Sequence, residues 1–218
     1  MELREIFPII DKLDTKDTEL LERSARKAHV SKGKIVYTSS DDCLGFLIVR
    51  SGQLRACIYS DEGKEITVYR LFDRDMCLFA ASCIMRSIRF DITIMAEKDT
   101  DVIIIPPEVF KSVMDRSAPL ANYTNEIMQD RLSDVMWLIE QVMWKSFDKR
   151  LASFLCEESA IEETNRLKIT HEQIAGHLGS AREVVTRMLK YFQDEGMVRL
   201  SRGTVEIVDI DTLREYAD

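Results

Sequence analysis

The sequence lacks the marks of several large protein classes. No apolar run approaches the roughly 18 residues that span a bilayer. The opening MELREIFPII has neither the basic start nor the long apolar stretch of a secretory signal. Five cysteines, Cys43, Cys57, Cys77, Cys83 and Cys156, are scattered, odd in number and without a CxxC pair. That pattern argues against a disulfide framework and for a reducing cytoplasm. A glycine-rich phosphate loop, paired metal ligands and a serine elbow are all missing, so nothing points to an enzyme. Nor is there an internal repeat or a low-complexity tract. These absences leave a soluble cytoplasmic protein with no membrane partner.

What is present is ample for one or two domains: 218 residues, 45% hydrophobic and 31% charged. A formal net charge of −8 argues against a protein that coats nucleic acid along its length, so any basic patch must be local. Residues 1–28 read as helical, with Asp14 or Thr15 as cap. From Val30 the texture changes to short β-rich runs such as LGFLIVRSG, QLRACIYS and TDVIIIPP, with SDEG as a hairpin turn. Close spacing of short strands indicates a small barrel or sandwich, closed by Pro106 and Pro107.

A long helix is expected from about Pro119 to Trp144. Leu132, Val135, Ile139 and Val142 recur at spacings of three, four and three, a heptad seam for a second copy of the chain. Met128, Asn125 and Ala121 continue that frame backwards, and Asn125 could set register between two chains. A second apolar side (Ile127, Met136, Trp137, Leu138, Met143 and Trp144) would pack on the β domain. The structural alternative is a buried core helix of a monomer.

Past Phe147 come short helices and a hairpin, MVRLSRGTVEIVD, turned at Ser201–Thr204. Ala175, Gly179 and Val185 stand at relative positions 0, 4 and 10. They supply a small crossing residue, a turn residue that tolerates a left-handed backbone and an apolar anchor, the signature of a helix-turn-helix. Thr170 with Gln173, and Ser180 with Glu183, each fit the capping box. Between Arg166 and Arg202, seven basic residues face four acidic ones, a local balance of +3 suited to phosphate. Lys190, Arg199 and Arg202 are candidate backbone contacts. Arg182 and Arg187 can each bind guanine in bidentate fashion, and Glu183 can accept from cytosine N4, cap the helix, or do both. Ser180 and Thr170, at the two helix starts, complete the expected DNA-binding set.

The stretch ITHEQIAGHLGSAREVVTRMLKYFQDEGMVRLSRGTVEI resembles the C-terminal winged helix of the Crp/Fnr superfamily of bacterial transcription regulators. Arg182-Glu183-x3-Arg187 is similar to the cyclic-AMP receptor branch, where these positions read a GTGA-like half-site. Upstream, LGFLIVRSGQLRACIYSDEGKEITVYRL looks like the family's β-roll, with Gly52 and Gly63 at its turns. The likeness covers almost the whole chain. It implies an α+β fold: an antiparallel, jelly-roll-like β-roll (1–117), a dimerisation helix (118–146) and a winged helix-turn-helix (147–218). It also implies double-stranded DNA at a palindromic site, a homodimer and RNA polymerase as partners.

Cyclic-nucleotide binders of this family cradle phosphate with Gly-Glu and Arg-Ser/Thr-Ala. Here Leu78-Phe79 and Phe90-Asp91-Ile92 stand in those places, so the phosphate would meet a carboxylate and two phenyl rings. An unpaired buried charge costs several kcal/mol, which argues against cyclic AMP. No closely spaced set of four cysteines supports an iron–sulfur cluster. His29 and Cys77 are the credible haem ligands, weak ones, and no cofactor is expected. What remains is an apolar pocket around Leu78, Phe79, Cys83, Phe90 and Trp137, for a small apolar or aromatic effector or simply core. Cys77 and Cys83 could form a redox switch or be inert small apolar residues. The rival to a regulator is a protein-interaction module with a decoy winged helix.

Overall fold

The structure is a computed structural model that describes residues 2–38, 43–78 and 91–217. The chain divides into two compact units: Met1–Ile58 with Val68–Val135, and Tyr59–Thr67 with Met136–Asp218.

The first unit opens with a four-residue helix α1 (Leu3–Ile6) and a helix α2 (Thr15–Ser24). Asp14 is the cap of α2, its carboxylate accepting the Asp17 N–H at 2.8 Å. The helix stops at Ser24 rather than near residue 28, because Arg26–Val30 forms strand β1. Sequence periodicity missed that strand, since its burial alternates only weakly and its apolar content is low.

Seven further strands follow among the described residues: β2 (Ile35–Thr38), β3 (Phe46–Ser51), β4 (Leu54–Tyr59), β5 (Glu65–Leu71), β6 (Met76–Cys77), β7 (Thr93–Ala96) and β8 (Thr100–Ile105). They make two four-stranded sheets, ordered β1-β8-β3-β6 and β2-β7-β4-β5. Expected β-roll and observed topology agree. SDEG forms the β4–β5 turn, with Gly63 N–H donating to Ser60 C=O at 2.9 Å. Strand β3 buries Phe46, Leu47, Ile48 and Val49 in succession, so both of its faces are covered. On one face Phe46 and Ile48 join Phe7, Leu21 and Phe110, with Phe46 stacked on Phe110 at 4.2 Å.

Helix α3 (Pro107–Met114) begins on the proline pair and leads to α4 (Ala118–Trp144). Leu120 and Ile127 of α4 are buried in the β-roll core, and Met128 is partly buried against it. Beyond residue 131 the helix is different. Leu132, Ile139 and Val142 are exposed, and so are Met136, Trp137, Met143 and Trp144. Of the expected second apolar side, Ile127 is buried in the β-roll core, and α4 is not a wholly buried core helix.

The second unit holds α5 (Phe147–Ile161), β9 (Arg166–Leu167), α6 (His171–Leu178), α7 (Arg182–Asp194), β10 (Val198–Ser201), β11 (Thr204–Ile207) and α8 (Ile210–Ala217). Its core gathers Leu151, Phe154, Leu155, Ile174, Val185, Leu189, Phe192, Val205 and Leu213. The hairpin β10–β11 is joined by β9 into a three-stranded sheet. Helix α8 was not foreseen. Asp209 caps it by accepting the Thr212 N–H at 3.0 Å, and Leu213 and Ala217 bury its inner side. Among the described residues no helix is long and apolar enough to cross a membrane.

Candidate nucleic-acid interface

The two helices at positions 0, 4 and 10 meet as the spacing requires. Ala175 is buried where the helices cross, and Val185 anchors α7 in the core. Gly179 ends α6 in the left-handed region at φ 63°, ψ 39°, where a side chain would be strained. Thr170 caps α6: its hydroxyl accepts the Gln173 N–H at 3.2 Å, while Gln173 Oε1 accepts the Thr170 N–H at 2.9 Å. The Thr170 hydroxyl expected at DNA is thus engaged in holding the helix start.

The second capping box does not form. Helix α7 starts at Arg182 with Ala181 as its cap and no side-chain cap bond. Ser180 lies inside the turn instead, its N–H donating to Ala175 C=O at 3.0 Å. The helix begins one residue later than the spacing suggested, so the Ser180 hydroxyl does not stand at the cap position. Glu183 consequently sits one position too early for the reciprocal cap, and its place in the first turn of α7 satisfies the helix dipole.

Helix α7 turns Val185, Leu189 and Phe192 inward and leaves Arg182, Glu183, Arg187 and Lys190 exposed. The wing is closed by Arg202 and Gly203 between the paired Ser201 and Thr204, which puts exposed Arg202 at its tip. Arg199, also on the wing, pairs with Glu206 at 3.2 Å. One residue at this surface went unread in the sequence. His171 Nδ1 lies 2.9 Å from Thr186 Oγ1, and that hydroxyl donates to Arg182 C=O at 2.8 Å. With its hydrogen so used, Thr186 accepts from His171, which fixes the Nδ1–H tautomer. Burial, and then the neighbouring Arg182 guanidinium, hold the His171 pKa below its ordinary value. Nothing in the local spacing of residues 171 and 186 signals this contact.

Comparison with known proteins agrees with this geometry. The Crp-like helix-turn-helix domain matches residues 149–216, and the cyclic nucleotide-binding domain matches residues 27–117. A crystal structure from Eubacterium rectale, assigned to the crp/fnr family of transcriptional regulators, is 60% identical. It covers 98% of this chain and 99% of its own, at a TM-score of 0.96. The chain belongs to the Crp/Fnr family. The transcriptional activator protein anr of Pseudomonas aeruginosa is 25% identical over 206 residues, 90% of this chain and 83% of its own. The cyclic AMP receptor protein of Thermus thermophilus is 23% identical over 210 residues, 96% of both chains. This Crp/Fnr protein is a DNA-binding transcription regulator and not an enzyme.

The Crp/Fnr sensor residues divide. Phe79, Cys83 and Phe90 lie outside the described residues. Leu78 is buried at 3% exposure, whereas Trp137 is 50% exposed. Cys77 is fully buried, its Sγ 3.7 Å from the Tyr69 hydroxyl, and the redox-switch reading of Cys77 with Cys83 falls partly outside the described residues. Cys43 is disulfide-bonded, contrary to the expectation of a chain without disulfides. His29 Nδ1 lies 2.8 Å from Asp101 at an exposed site. Sequence reading also missed a buried polar cluster. Arg55 and Arg70 lie 3.4 and 3.2 Å from the Glu97 carboxylate, which also accepts from Gln53 Nε2 at 2.7 Å.

Proposed function

We propose that this Crp/Fnr regulator acts as a homodimer on a palindromic DNA site of GTGA-like half-sites. Two copies of α4 pair through Leu132, Val135, Ile139 and Val142, and the two α7 helices then enter neighbouring major grooves one DNA turn apart. Three of these four are large exposed apolar side chains, with Leu132 62% exposed, and that observation carries the dimer. Arg182 and Arg187 read guanine, Glu183 accepts from cytosine, and Lys190 and Arg202 hold phosphate. Release of the cap duty from Glu183 supports its part in base reading.

The signal is a small effector other than a cyclic nucleotide, or a change of redox state, acting in the β-roll of a cytoplasmic protein. Asp91 in the phosphate-cradle segment is exposed, and its like charge repels an anionic phosphodiester, while the Cys43 disulfide supports the redox arm. Lys145–Phe147, where α4 gives way to α5, is the hinge, and RNA polymerase is the partner at the promoter. A signal works there only if it favours one state over the other.

The deciding experiment is DNA binding by Arg182→Ala and Arg187→Ala. Each is expected to lose about 1–3 kcal/mol on an inverted repeat of GTGA half-sites and to relax sequence preference. Unchanged binding by both would favour the decoy winged helix. Calorimetry with cyclic AMP is expected to show no micromolar binding.

A further inference from the structure

The turn between β4 and β5, Tyr59–Thr67, groups with the second unit and not with the rest of its own strands. The reason is contact with the α6–α7 turn. Ile66 forms an antiparallel bridge to Leu178. Thr67 Oγ1 lies 2.9 Å from His177 Nδ1.

Two glycines make room for this segment. A Cβ on Gly179 would come within 3.0 Å of Ile66 Cδ1, and a Cβ on Gly176 within 2.1 Å of Glu65 Oε1. Gly179 has a separate reason to be glycine, its left-handed backbone. Gly176 has no such reason. It sits inside α6 with ordinary helical backbone, where glycine is about 1 kcal/mol worse than alanine. The three nearest atoms to its missing Cβ all belong to Glu65. The space of the missing methyl is thus filled by the flexible Glu65 side chain.

Charge gives the contact a direction. The turn carries Asp61, Glu62 and Glu65 against Lys64, a balance of −2. The head beneath it, from Arg166 to Arg202, carries +3. A carboxylate-rich segment thus touches the turn that leads into Arg182, and carboxylates repel phosphates at short range.

We propose that the α6–α7 turn is a docking surface for an acidic segment, and that its occupant in the free protein is the β4–β5 turn, which competes with DNA. This rests on the DNA-binding reading above and adds to it a surface and a competitor. The docked state excludes the phosphate backbone, so measured DNA affinity is the intrinsic affinity multiplied by the fraction undocked.

The test uses the full chain and two variants. Gly176→Ala places a methyl in the space of Glu65 while favouring the helix, and Glu65→Ala removes the carboxylate without touching the head. Hydrogen exchange of the segment 59–67 is read without DNA. Affinity is read by anisotropy of a labelled duplex bearing an inverted repeat of GTGA half-sites at low salt. Gly176→Ala is expected to speed exchange in the turn and to tighten binding about three- to tenfold, with Glu65→Ala moving the same way by less. Wild-type affinity in both variants, or unmoved exchange in Gly176→Ala, overturns the proposal while leaving DNA binding intact. If wild type and variants alike fail to bind the duplex although exchange rises, the DNA-binding reading falls and this proposal with it.

Discussion

The two halves of α4 are built from similar residues and meet opposite fates. In the first half, Leu120 and Ile127 are buried in the β-roll core, and the Thr124 hydroxyl donates back to Leu120 C=O at 2.8 Å. In the second half, Leu132, Met136, Ile139 and Met143 repeat at helical spacing but stand 62, 55, 43 and 64% exposed. Apolarity on a helix therefore says that a surface is to be covered and not by what. The first half is covered by its own chain. The second leaves a contiguous apolar stripe in water, a pattern that marks an interaction site.

The sharpest way to break that comparison is a charge in the exposed half. Val135→Asp is expected to give monomers by light scattering and to abolish site-specific DNA binding, because two heads on one palindrome depend on pairing. A variant that stays dimeric would remove the seam. Next in size is a truncation in the covered half. Ile127→Ala should destabilise the β-roll by about 2–5 kcal/mol in denaturant unfolding, while Ile139→Ala changes monomer stability far less. Equal losses would mean that the two halves do not differ in role.

The same contrast recurs at the two helix starts of the reading head, on a smaller scale. Thr170→Ala is expected to cost about 1 kcal/mol of stability, and Ser180→Ala no more than about 0.5 kcal/mol, since only the first hydroxyl caps a helix. A larger loss at Ser180 would restore the second cap.

The smallest effect concerns His171. Its pKa is depressed in the folded chain by burial and by Arg182, so the unfolded chain binds the proton more readily. Stability from this group is present above the unfolded value near 6.5 and is lost as pH falls below it toward the depressed folded value. Arg182→Ala should move the His171 titration upward by NMR, though not fully, because burial remains. No movement would show that Arg182 does not act on it.

Much of the reading head was legible in advance. The small, left-handed and apolar positions at 175, 179 and 185, the Thr170 cap and the Ser201–Thr204 hairpin are all local demands on backbone and spacing, and all are met. The second cap failed because α7 starts at Arg182 with Ala181 as its cap, one residue past the position Ser180 would need, and motif spacing does not fix a helix start to one residue. In the β-roll the runs from β2 to β8 were visible except for the two-residue β6, whereas β1 was read as helix. A short polar strand carries little periodic signal and is made by its partner, β8. The apolar effector pocket was inferred from composition. Buried guanidiniums at Arg55 and Arg70 around Glu97 were invisible to it, since charge in a sequence reads as surface.

By itself the sequence determined what depends on neighbours within about one or two helical turns: the helix-turn-helix, its αL glycine, its first cap, the wing and the outward arginines of α7. Only the tertiary structure decided which half of α4 is core, where Arg55 and Arg70 find their carboxylate, and that residues 59–67 rest on Gly176 and Gly179. Such contacts join segments far apart in the chain, and burial there is set by what the fold brings near, which no local pattern of residues encodes.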